Sequence, residues 1–289
     1  MFCNNQIIAG IDEAGRGPLF GPVVACAVVF NDRIDISEIK DSKKISPLKR
    51  QKIYNQLIKE NIDYGIGLVH EQEIDKINIL NATKKAMQEA VRNLKKEPSK
   101  LLIDGNQTIE SNIEQEAIIK GDQKIPEISA ASIIAKVVRD QVVENYNKVY
   151  PMFELSKHKG YGTKLHIELL HEYGPSIVHR HTFRPISQIG YGSFKIYESL
   201  PMVRYTLSII KRGFNIHSFN IKKDIPCMLY KHMRDKIYVV SINNKDVSEI
   251  NSIILDIKKK DSVKKARLDV IYSDDKSTTP RVQHSCKIC

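Results

Sequence analysis

Two apolar stretches in the first third of the sequence each lead into acidic residues. Residues 7–11 are followed at once by Asp12 and Glu13, and residues 101–103 are followed by Asp104. If both stretches are strands that lie side by side, their acids meet at one edge of a sheet, where repulsion raises carboxylate pKa values unless cations bind. Carboxylate oxygens suit Mg²⁺ or Mn²⁺, and two such ions can activate water for hydrolysis of a phosphodiester.

A glycine-rich segment directly follows the first acid pair. Gly15, Gly17 and Gly21 allow the backbone to approach a ligand where a Cβ would clash, and Arg16 can place a guanidinium on a phosphate. Each carboxylate alone has a plainer interpretation, because an aspartate after a strand usually forms a turn or a helix cap and Asp-Glu pairs are common on surfaces. The glycines favour a ligand site, since a structural turn would not need so many.

The segment from Gly10 to Pro18, Gly-Ile-Asp-Glu-Ala-Gly-Arg-Gly-Pro, resembles the signature of bacterial ribonuclease HII, the type 2 ribonuclease H. Further family-like stretches follow in the same order along the chain, at residues 41–44, 103–106, 120–122, 128–140, 158–163 and 181–185. The resemblance therefore extends over residues 7–187. The related ribonuclease HIII lacks the Gly-Arg-Gly step that is intact here.

The resemblance implies a fold, a reaction and a catalytic site. The fold would be α/β, a ribonuclease H-like mixed sheet flanked by helices. The enzyme would cut the RNA strand of RNA–DNA hybrids, and duplex DNA on the 5′ side of embedded ribonucleotides, leaving 3′-hydroxyl and 5′-phosphate ends. Catalysis would use two metal ions, Mn²⁺ or Mg²⁺. The implied catalytic and metal-binding acids are Asp12, Glu13, Asp104 and Asp122; without the resemblance, Asp122 would be interpreted as part of a turn.

Substrate recognition is implied for a second group of residues. Gly15, Arg16 and Gly17 would read the 2′-hydroxyl at the cut, a group that is both donor and acceptor and so suits contact with backbone groups. Tyr161 would stack on the neighbouring deoxyribose, so that the enzyme recognises an RNA–DNA junction. Relatives often carry Pro after this tyrosine, whereas this chain has Gly162, which predicts a looser loop.

Phosphate contacts, which position a duplex without reading its sequence, are expected for four basic residues: Lys43, Lys44, Lys159 and Arg184. A solvated loop is the alternative for the first two. A role as general base is the alternative considered for three histidines: His158, His179 and His181. A metal-activated water needs no histidine, so we expect these histidines to have surface or supporting roles.

Hydrophobic periodicity predicts the elements that must position these residues. Strands are predicted over residues 7–11, 22–30, 64–69 and 101–104. Helices are predicted over residues 46–60, 71–95 (as one or two helices), 128–143 and 163–172. The small apolar residues 129–134 are interpreted as helix packing on the sheet and not as a site. This pattern predicts an α/β sheet layered with helices.

The composition changes near residue 196, which predicts a catalytic domain over residues 1–196 and a basic extension over residues 197–289. Strand-like stretches and one helix-like stretch predict a small α/β unit in the extension: residues 214–219, 237–242 and 267–272 as strands, and 247–258 as a helix. This order is faintly similar to small restriction-endonuclease-like proteins without their Glu-x-Lys pattern, so we expect a degenerate unit kept for binding or packing. A mobile tail with Cys286 and Cys289 is expected after Ser273.

The charge of the chain is +11, of which +8 lies in residues 197–289. Attraction to a nucleic acid is one interpretation and a solvated lysine-rich surface is the other. The five cysteines are too few and too scattered for a disulfide scaffold. No apolar run is long enough to span a membrane and no signal-peptide pattern begins the chain, so a cytoplasmic location is expected. The expected oligomeric state is a monomer.

Two other functions are compatible with some of these residues. One is a ribonuclease H-like nuclease or strand-transfer enzyme that acts on DNA alone, which the intact Gly15-Arg16-Gly17 and Tyr161 disfavour. The other is a catalytically silent nucleic-acid-binding protein, which the presence of all four acids disfavours.

Overall fold

The computed structural model describes residues 6–30, 46–189, 201–219, 227–232, 237–242, 265–272 and 281–288. Contacts between Cα atoms divide the chain into two compact units. The first includes the described residues up to 143 together with residues 158–171 and 175–189, and the second includes residues 144–157, 172–174 and the described residues from 201 onward. No helix within the described ranges is long and apolar enough to cross a membrane.

The first unit contains a mixed five-stranded sheet with the order β3-β2-β1-β4-β5. Its strands are β1 (Ile8–Ala14), β2 (Val23–Val29), β3 (Asp63–Val69), β4 (Lys100–Asp104) and β5 (Glu114–Ile118). The pairs β1/β2 and β2/β3 are antiparallel, whereas β1/β4 and β4/β5 are parallel. The predicted α/β sheet is therefore confirmed, and β1 runs one residue past the acid pair.

Two helices precede β4 in the sequence, one between β2 and β3 and one between β3 and β4. Helix α1 (Pro47–Lys59) begins where predicted, with the Ser46 hydroxyl accepting from the Lys49 amide. Helix α2 (Glu71–Arg92) has non-helical backbone angles at Asn78, so it consists of two helical segments joined at a kink. It packs closely on β3, because a Cβ at Gly65 or Gly67 would overlap the α2 backbone.

Three helices follow β5. Helix α3 (Pro126–Val149) packs so closely on β1 that a Cβ at Gly10 would overlap the backbone at Glu127 and Ile128. The short α4 (Leu155–His158) and α5 (Lys164–Tyr173) lie on either side of the loop that carries Tyr161. Helix α5 begins directly after Thr163, as predicted, and its end is followed by Gly174 with a φ of 74°.

One buried apolar cluster joins α2 to the sheet. It includes residues from β1, β2 and β4 together with the inner face of α2: Ala9, Ile11, Val23, Ala25, Ala27, Val29, Ile74, Ala82, Ala86, Ala90, Leu101 and Ile103. Rigid packing on this scale fixes the strand ends that carry the acids, because close-packed interiors leave little room for side chains to shift.

The second unit contains its own five-stranded sheet, with the order β10-β9-β8-β7-β6. Its elements are α6 (Pro201–Lys211), β6 (Phe214–Phe219), β7 (Cys227–His232), β8 (Ile237–Ile242), β9 (Lys265–Tyr272) and β10 (Arg281–Ile288). Strands β8 and β9 are parallel, and the other pairs are antiparallel. The three strands predicted in the extension are present, and the predicted helix over residues 247–258 lies outside the described residues.

The expected tail after Ser273 is a point where the structure differs. Residues 281–288 form β10 and pair along their length with β9, so this segment is the edge strand of a sheet. Backbone hydrogen bonds to β9 hold this strand in the sheet, and a search for apolar periodicity does not detect them. The domain boundary near residue 196 falls outside the described residues and stays a prediction.

Candidate active site

The four predicted acids are carried by the central strands and the loops that follow them. Asp12 and Glu13 lie in the last part of β1, and Asp104 is the final residue of β4. Ile11 pairs with Ile103 in the parallel ladder, so the next residue of each strand, Asp12 and Asp104, lies at the same edge. The structure thus brings together the acids of two neighbouring strands, as the sequence predicted.

Asp122 joins this group from the turn after β5. It is buried in the 3-10 turn Gly121–Gln123, and its backbone amide donates to the Oδ1 atom of Asp104 over 3.3 Å. A Cβ at Gly121 would lie only 3.4 Å from that same Oδ1 atom, so the turn passes close to the Asp104 carboxylate. Asp122 was predicted from the resemblance alone, and its signal in the fold is this approach to β4.

Burial dominates the electrostatics of Asp12. The side chain is only 6% exposed, and burial raises its pKa well above the usual value, with further increases from the charges of Glu13 and Asp104. A hydrogen bond from the Ser132 side chain and one from the Glu13 amide, 2.7 Å from Oδ1, act in the opposite direction. Ser132 is on α3, within the residues that the sequence analysis interpreted as packing only, so that interpretation was wrong for this residue.

Glu13 is half-buried, and the charges of Arg16 and Asp104 both act on it. Burial raises its pKa, whereas the Arg16 guanidinium, whose Nη1 atom lies 3.3 Å from Oε1, lowers it. The Arg16 side chain is 52% exposed and Glu13 is 14% exposed, so this ion pair lies at the surface opening of the site. An exposed ion pair of this kind contributes little to stability and is easily exchanged for another partner.

The chemistry of this acid group fits a hard divalent cation. The available ligand atoms are carboxylate oxygens, which Mg²⁺ and Mn²⁺ prefer. The negative charges of the carboxylates repel one another, and a bound cation would reduce that repulsion. Among the described residues, no three acid, histidine or cysteine side chains converge closely enough to hold a metal as they lie. A cation would therefore have to draw the carboxylates toward one another.

The glycine-rich loop after β1 is packed from below and open above. Gly15 has a φ of 96° and is buried, and a Cβ there would overlap the Arg139 side chain. Gly17 is exposed, and the nearest atom to a Cβ at that position would be Cε1 of Tyr161 at 3.8 Å. The loop thus lies beside Tyr161, which brings together the two elements that were predicted to recognise the substrate.

Arg180 holds the backbone of this loop. Its guanidinium donates to the carbonyl oxygens of Gly15 (Nη2, 2.6 Å), Arg16 (Nη1, 2.8 Å) and Gly21 (Nε, 2.9 Å). The side chain is fully buried, and burial lowers its pKa to about 9. Three hydrogen bonds from one planar group fix the position of the loop. The sequence analysis did not identify Arg180, which lies directly before the His181-Thr182-Phe183-Arg184-Pro185 stretch.

Tyr161 is 43% exposed and lies near two cations of α3. The Nζ atom of Lys136 is 5.8 Å from the ring centroid, and the Cζ atom of Arg139 is 5.7 Å from it. The Arg139 Nη2 atom also donates to the carbonyl oxygens of Phe20 and Lys159, at 3.3 and 3.0 Å. The ring therefore contacts two cations and still has 43% of its surface exposed.

The basic candidates differ in what the structure says of them. Lys159 is half-buried in the loop before Tyr161 and has a φ of 50°, and Arg184 is exposed. Lys43 and Lys44 lie outside the described residues. Of the histidines, His158 and His179 are buried, at 7% and 0% exposure, which makes surface roles wrong for these two and leaves supporting roles.

Comparison with known proteins gives a consistent result for this part of the chain. Residues 9–185 match the family model described as Ribonuclease HII. The chain is 52% identical over 178 residues to Ribonuclease HII of Caldanaerobacter subterraneus, covering 62% of this chain and 74% of that protein. It is 46% identical over 186 residues to Ribonuclease HII of Coxiella burnetii, covering 64% of this chain and 92% of that protein.

Solved structures resemble the same part of the chain. The ribonuclease H2 of Pyrococcus horikoshii has a TM-score of 0.53 at 30% identity, covering 63% of this chain and 95% of that one. The RNase HII of Archaeoglobus fulgidus, solved in a complex with PCNA, has a TM-score of 0.54 at 26% identity, covering 62% of this chain and 95% of that one. Both support the mixed sheet flanked by helices.

Proposed function

The chain belongs to the ribonuclease HII family, and we propose that it cuts duplex DNA on the 5′ side of embedded ribonucleotides as well as the RNA strand of RNA–DNA hybrids. The products are 3′-hydroxyl and 5′-phosphate ends. One observation supports this proposal most strongly: the glycine-rich loop that follows the acid pair directly lies beside Tyr161, with 3.8 Å from a Cβ at Gly17 to the ring. Catalytic and sugar-reading groups are then adjacent.

The acids have separate tasks in this proposal. Asp12, Glu13, Asp104 and Asp122 would hold two Mg²⁺ or Mn²⁺ ions, which supply an activated water and stabilise the leaving oxygen. The Ser132 side chain holds the Asp12 carboxylate by a hydrogen bond. The same bond lowers the pKa of Asp12 and so favours the ionised form that a metal needs. The amide of Asp122 orients Asp104 in the same way.

The loop and the tyrosine have the task of choosing the substrate. Gly15, Arg16 and Gly17 contact the 2′-hydroxyl of the ribonucleotide, and the open side of Tyr161 stacks on the next deoxyribose. The exposed guanidinium of Arg16 can leave Glu13 for a phosphate. Lys43, Lys44, Lys159 and Arg184 bind phosphates of the duplex, which positions it without reading its sequence. The protein acts as a monomer in the cytoplasm.

A panel of four duplexes tests the choice of substrate: one all-DNA, one with a single ribonucleotide, one RNA–DNA hybrid and one all-RNA. With Mg²⁺ or Mn²⁺ we expect cleavage of the duplex with a single ribonucleotide and of the RNA–DNA hybrid, and no cleavage of the all-DNA duplex. Equal cleavage of the all-DNA duplex would support the DNA-only nuclease instead. Asp104→Asn is the control, because unchanged activity in that variant would mean that a contaminant is cutting or that the site is silent.

A further inference from the structure

Three buried histidines lie in contact behind the Tyr161 loop. The rings of His158 and His166 are stacked, with centroids 4.3 Å apart and planes inclined by 21°. The Nε2 atoms of His166 and His179 are 3.2 Å apart, within hydrogen-bond distance. All three side chains are 7% exposed or less. The proposed reaction uses none of them. Burying three imidazoles costs free energy unless hydrogen bonds satisfy their ring nitrogens.

The partners of these rings fix where each proton lies. The Nδ1 atom of His166 is 3.0 Å from the carbonyl oxygen of Tyr161, which only accepts, so this nitrogen carries the proton. The Nε2 atom of His166 must then accept from the Nε2–H of His179. The Nδ1 atom of His179 is consequently the acceptor, as its contact with the Ser176 amide at 2.9 Å requires. Each proton has one possible place, and both rings are neutral.

The surroundings keep these two rings neutral. Burial, together with the charge that the neighbouring His158 would carry, lowers the pKa of His166 to about 4. Burial also lowers the pKa of His179 well below its usual value. The charge that a protonated His166 would carry lowers the pKa of His179 in the same direction and is the second-largest cause. An extra proton on either ring would place two N–H groups against each other, so the hydrogen-bonded order is stable at neutral pH.

The histidine pair is connected to both substrate-reading elements. At one end, His166 holds the Tyr161 carbonyl. At the other, His179 is followed directly by Arg180, whose side chain holds the carbonyls of Gly15 and Arg16. His179 is also paired with Phe20 by a backbone bridge and by an edge-to-face ring contact, with centroids 4.8 Å apart.

We propose that His166 and His179 are positioning residues, which set the place of Tyr161 relative to the Gly15-Arg16-Gly17 loop and thereby the preference for an RNA–DNA junction. This inference rests on the proposed function, because it needs Tyr161 to contact the deoxyribose of the junction. The hydrogen bond from His166 to the Tyr161 carbonyl transmits the position. The bond from His179 keeps the proton of His166 on Nδ1, a control that a side-chain amide NH₂ at that place does not need.

Two amide substitutions separate the two hydrogen bonds of His166. In His166→Asn the side-chain NH₂ takes the place of Nδ1 and can still donate to the Tyr161 carbonyl, whereas His166→Gln reaches only the place of Nε2. Each variant keeps one bond and loses the other, so both cost similar stability. We expect His166→Gln to lower kcat/KM about tenfold on a duplex with one ribonucleotide and less than about threefold on a continuous hybrid. His166→Asn should stay within about threefold of the parent on both.

Equal losses in the two variants, or equal losses on the two substrates, would overturn the inference, since a merely structural histidine would give that result. Thermal unfolding of each variant identifies any that fail to fold. In a Tyr161→Ala background, His166→Gln should cause no further loss of junction preference, because the effect is transmitted through Tyr161. If Tyr161→Ala alone leaves the preference unchanged, the proposed role of Tyr161 fails. If it removes the preference while His166→Gln does not, only the positioning inference fails.

Discussion

At the scale of single residues, Gly15 and Gly17 have different reasons to be glycine. Gly15 has a positive φ, and a Cβ at this position would clash with Arg139. A Cβ at Gly17 would have only Tyr161 within 4 Å. The sequence showed both as glycines in a loop, but it could not show which one is packed. That difference depends on α3, a helix more than one hundred residues further along the chain.

Gly15→Ala should therefore lower the free energy of unfolding by about 1–3 kcal/mol. The positive φ strains the backbone of any residue with a Cβ, and the methyl group displaces Arg139. Gly17→Ala should leave the free energy of unfolding nearly unchanged but lower cleavage at a single ribonucleotide, since the methyl group lies where the sugar binds. Urea unfolding and a cleavage assay measure the two effects. Gly105→Ala is the control for strain alone, as it has a φ of 101° and nothing within 4 Å of the added Cβ.

Asp12→Asn should stabilise the protein at neutral pH in metal-free buffer. The pKa of Asp12 is raised in the fold, so its contribution to stability is present below the unfolded pKa and is lost as the pH rises through the folded pKa. Burial of this carboxyl group therefore makes the fold less stable as the pH rises, and Asn removes that penalty. A lower melting temperature for Asp12→Asn than for the parent, both in chelator, would contradict this account.

Added Mg²⁺ or Mn²⁺ should raise the melting temperature of the parent and raise that of Asp12→Asn less, because a ligand that binds only the folded state stabilises it. Glu172→Gln is a matched control, since it removes a carboxylate from an exposed position in α5. If both variants respond to the metal like the parent, Asp12 is not a metal ligand.

At the scale of elements, apolar periodicity predicted the buried strands of the first unit and missed its half-exposed strand, β5. Residues 23–29 of β2 are entirely buried, whereas β5 reads Glu-Gln-Glu-Ala-Ile and is a half-exposed edge strand. Its polar residues resemble a loop in the sequence, and only its pairing with β4 identifies it. The site depends on this missed strand, because β5 leads into the turn that carries Asp122.

The histidine pair predicts a loss of stability in mild acid. The folded-state pKa of His166 is about 4, below the ordinary value of 6.5. Between these values the unfolded chain binds more protons than the folded protein, so the free energy of unfolding should fall as the pH is lowered from 6.5 toward 4. His166→Asn should show a shallower fall over that range, measured by urea unfolding at several pH values. Parallel pH profiles for the parent and the variant would contradict the burial of a neutral His166.

At the scale of the whole molecule, the family match and the charge lie in different parts of the chain. Residues 9–185 match the family, whereas +8 of the +11 charge lies in residues 197–289. The sequence could locate the catalytic part because its motifs are short and ordered along the chain. It could not locate the last strand, since β10 is defined by its hydrogen bonds to β9 and not by its residue types.

The basic extension should strengthen binding to a duplex and steepen its salt dependence, by roughly 0.9 in the slope of log K against log salt for each phosphate neutralised. A fragment of residues 1–196 can be compared with the full chain, because it contains the whole of the family match over residues 9–185. Replacing Lys258, Lys259 and Lys260 with Gln in the full chain should give an intermediate slope. Identical slopes for fragment and full chain would mean that the extension has another role.

Mapping the cut in a duplex that contains one ribonucleotide tests the central claim most directly. With the 5′ and 3′ ends of that strand labelled separately, and with Mg²⁺ or Mn²⁺ present, we predict a single cut on the 5′ side of the ribonucleotide that leaves a 3′-hydroxyl and a 5′-phosphate. Asp104→Asn should abolish that cut. A cut on the 3′ side, or cuts spread along the surrounding DNA, would contradict the assignment of the acids, the glycine-rich loop and Tyr161 to one site.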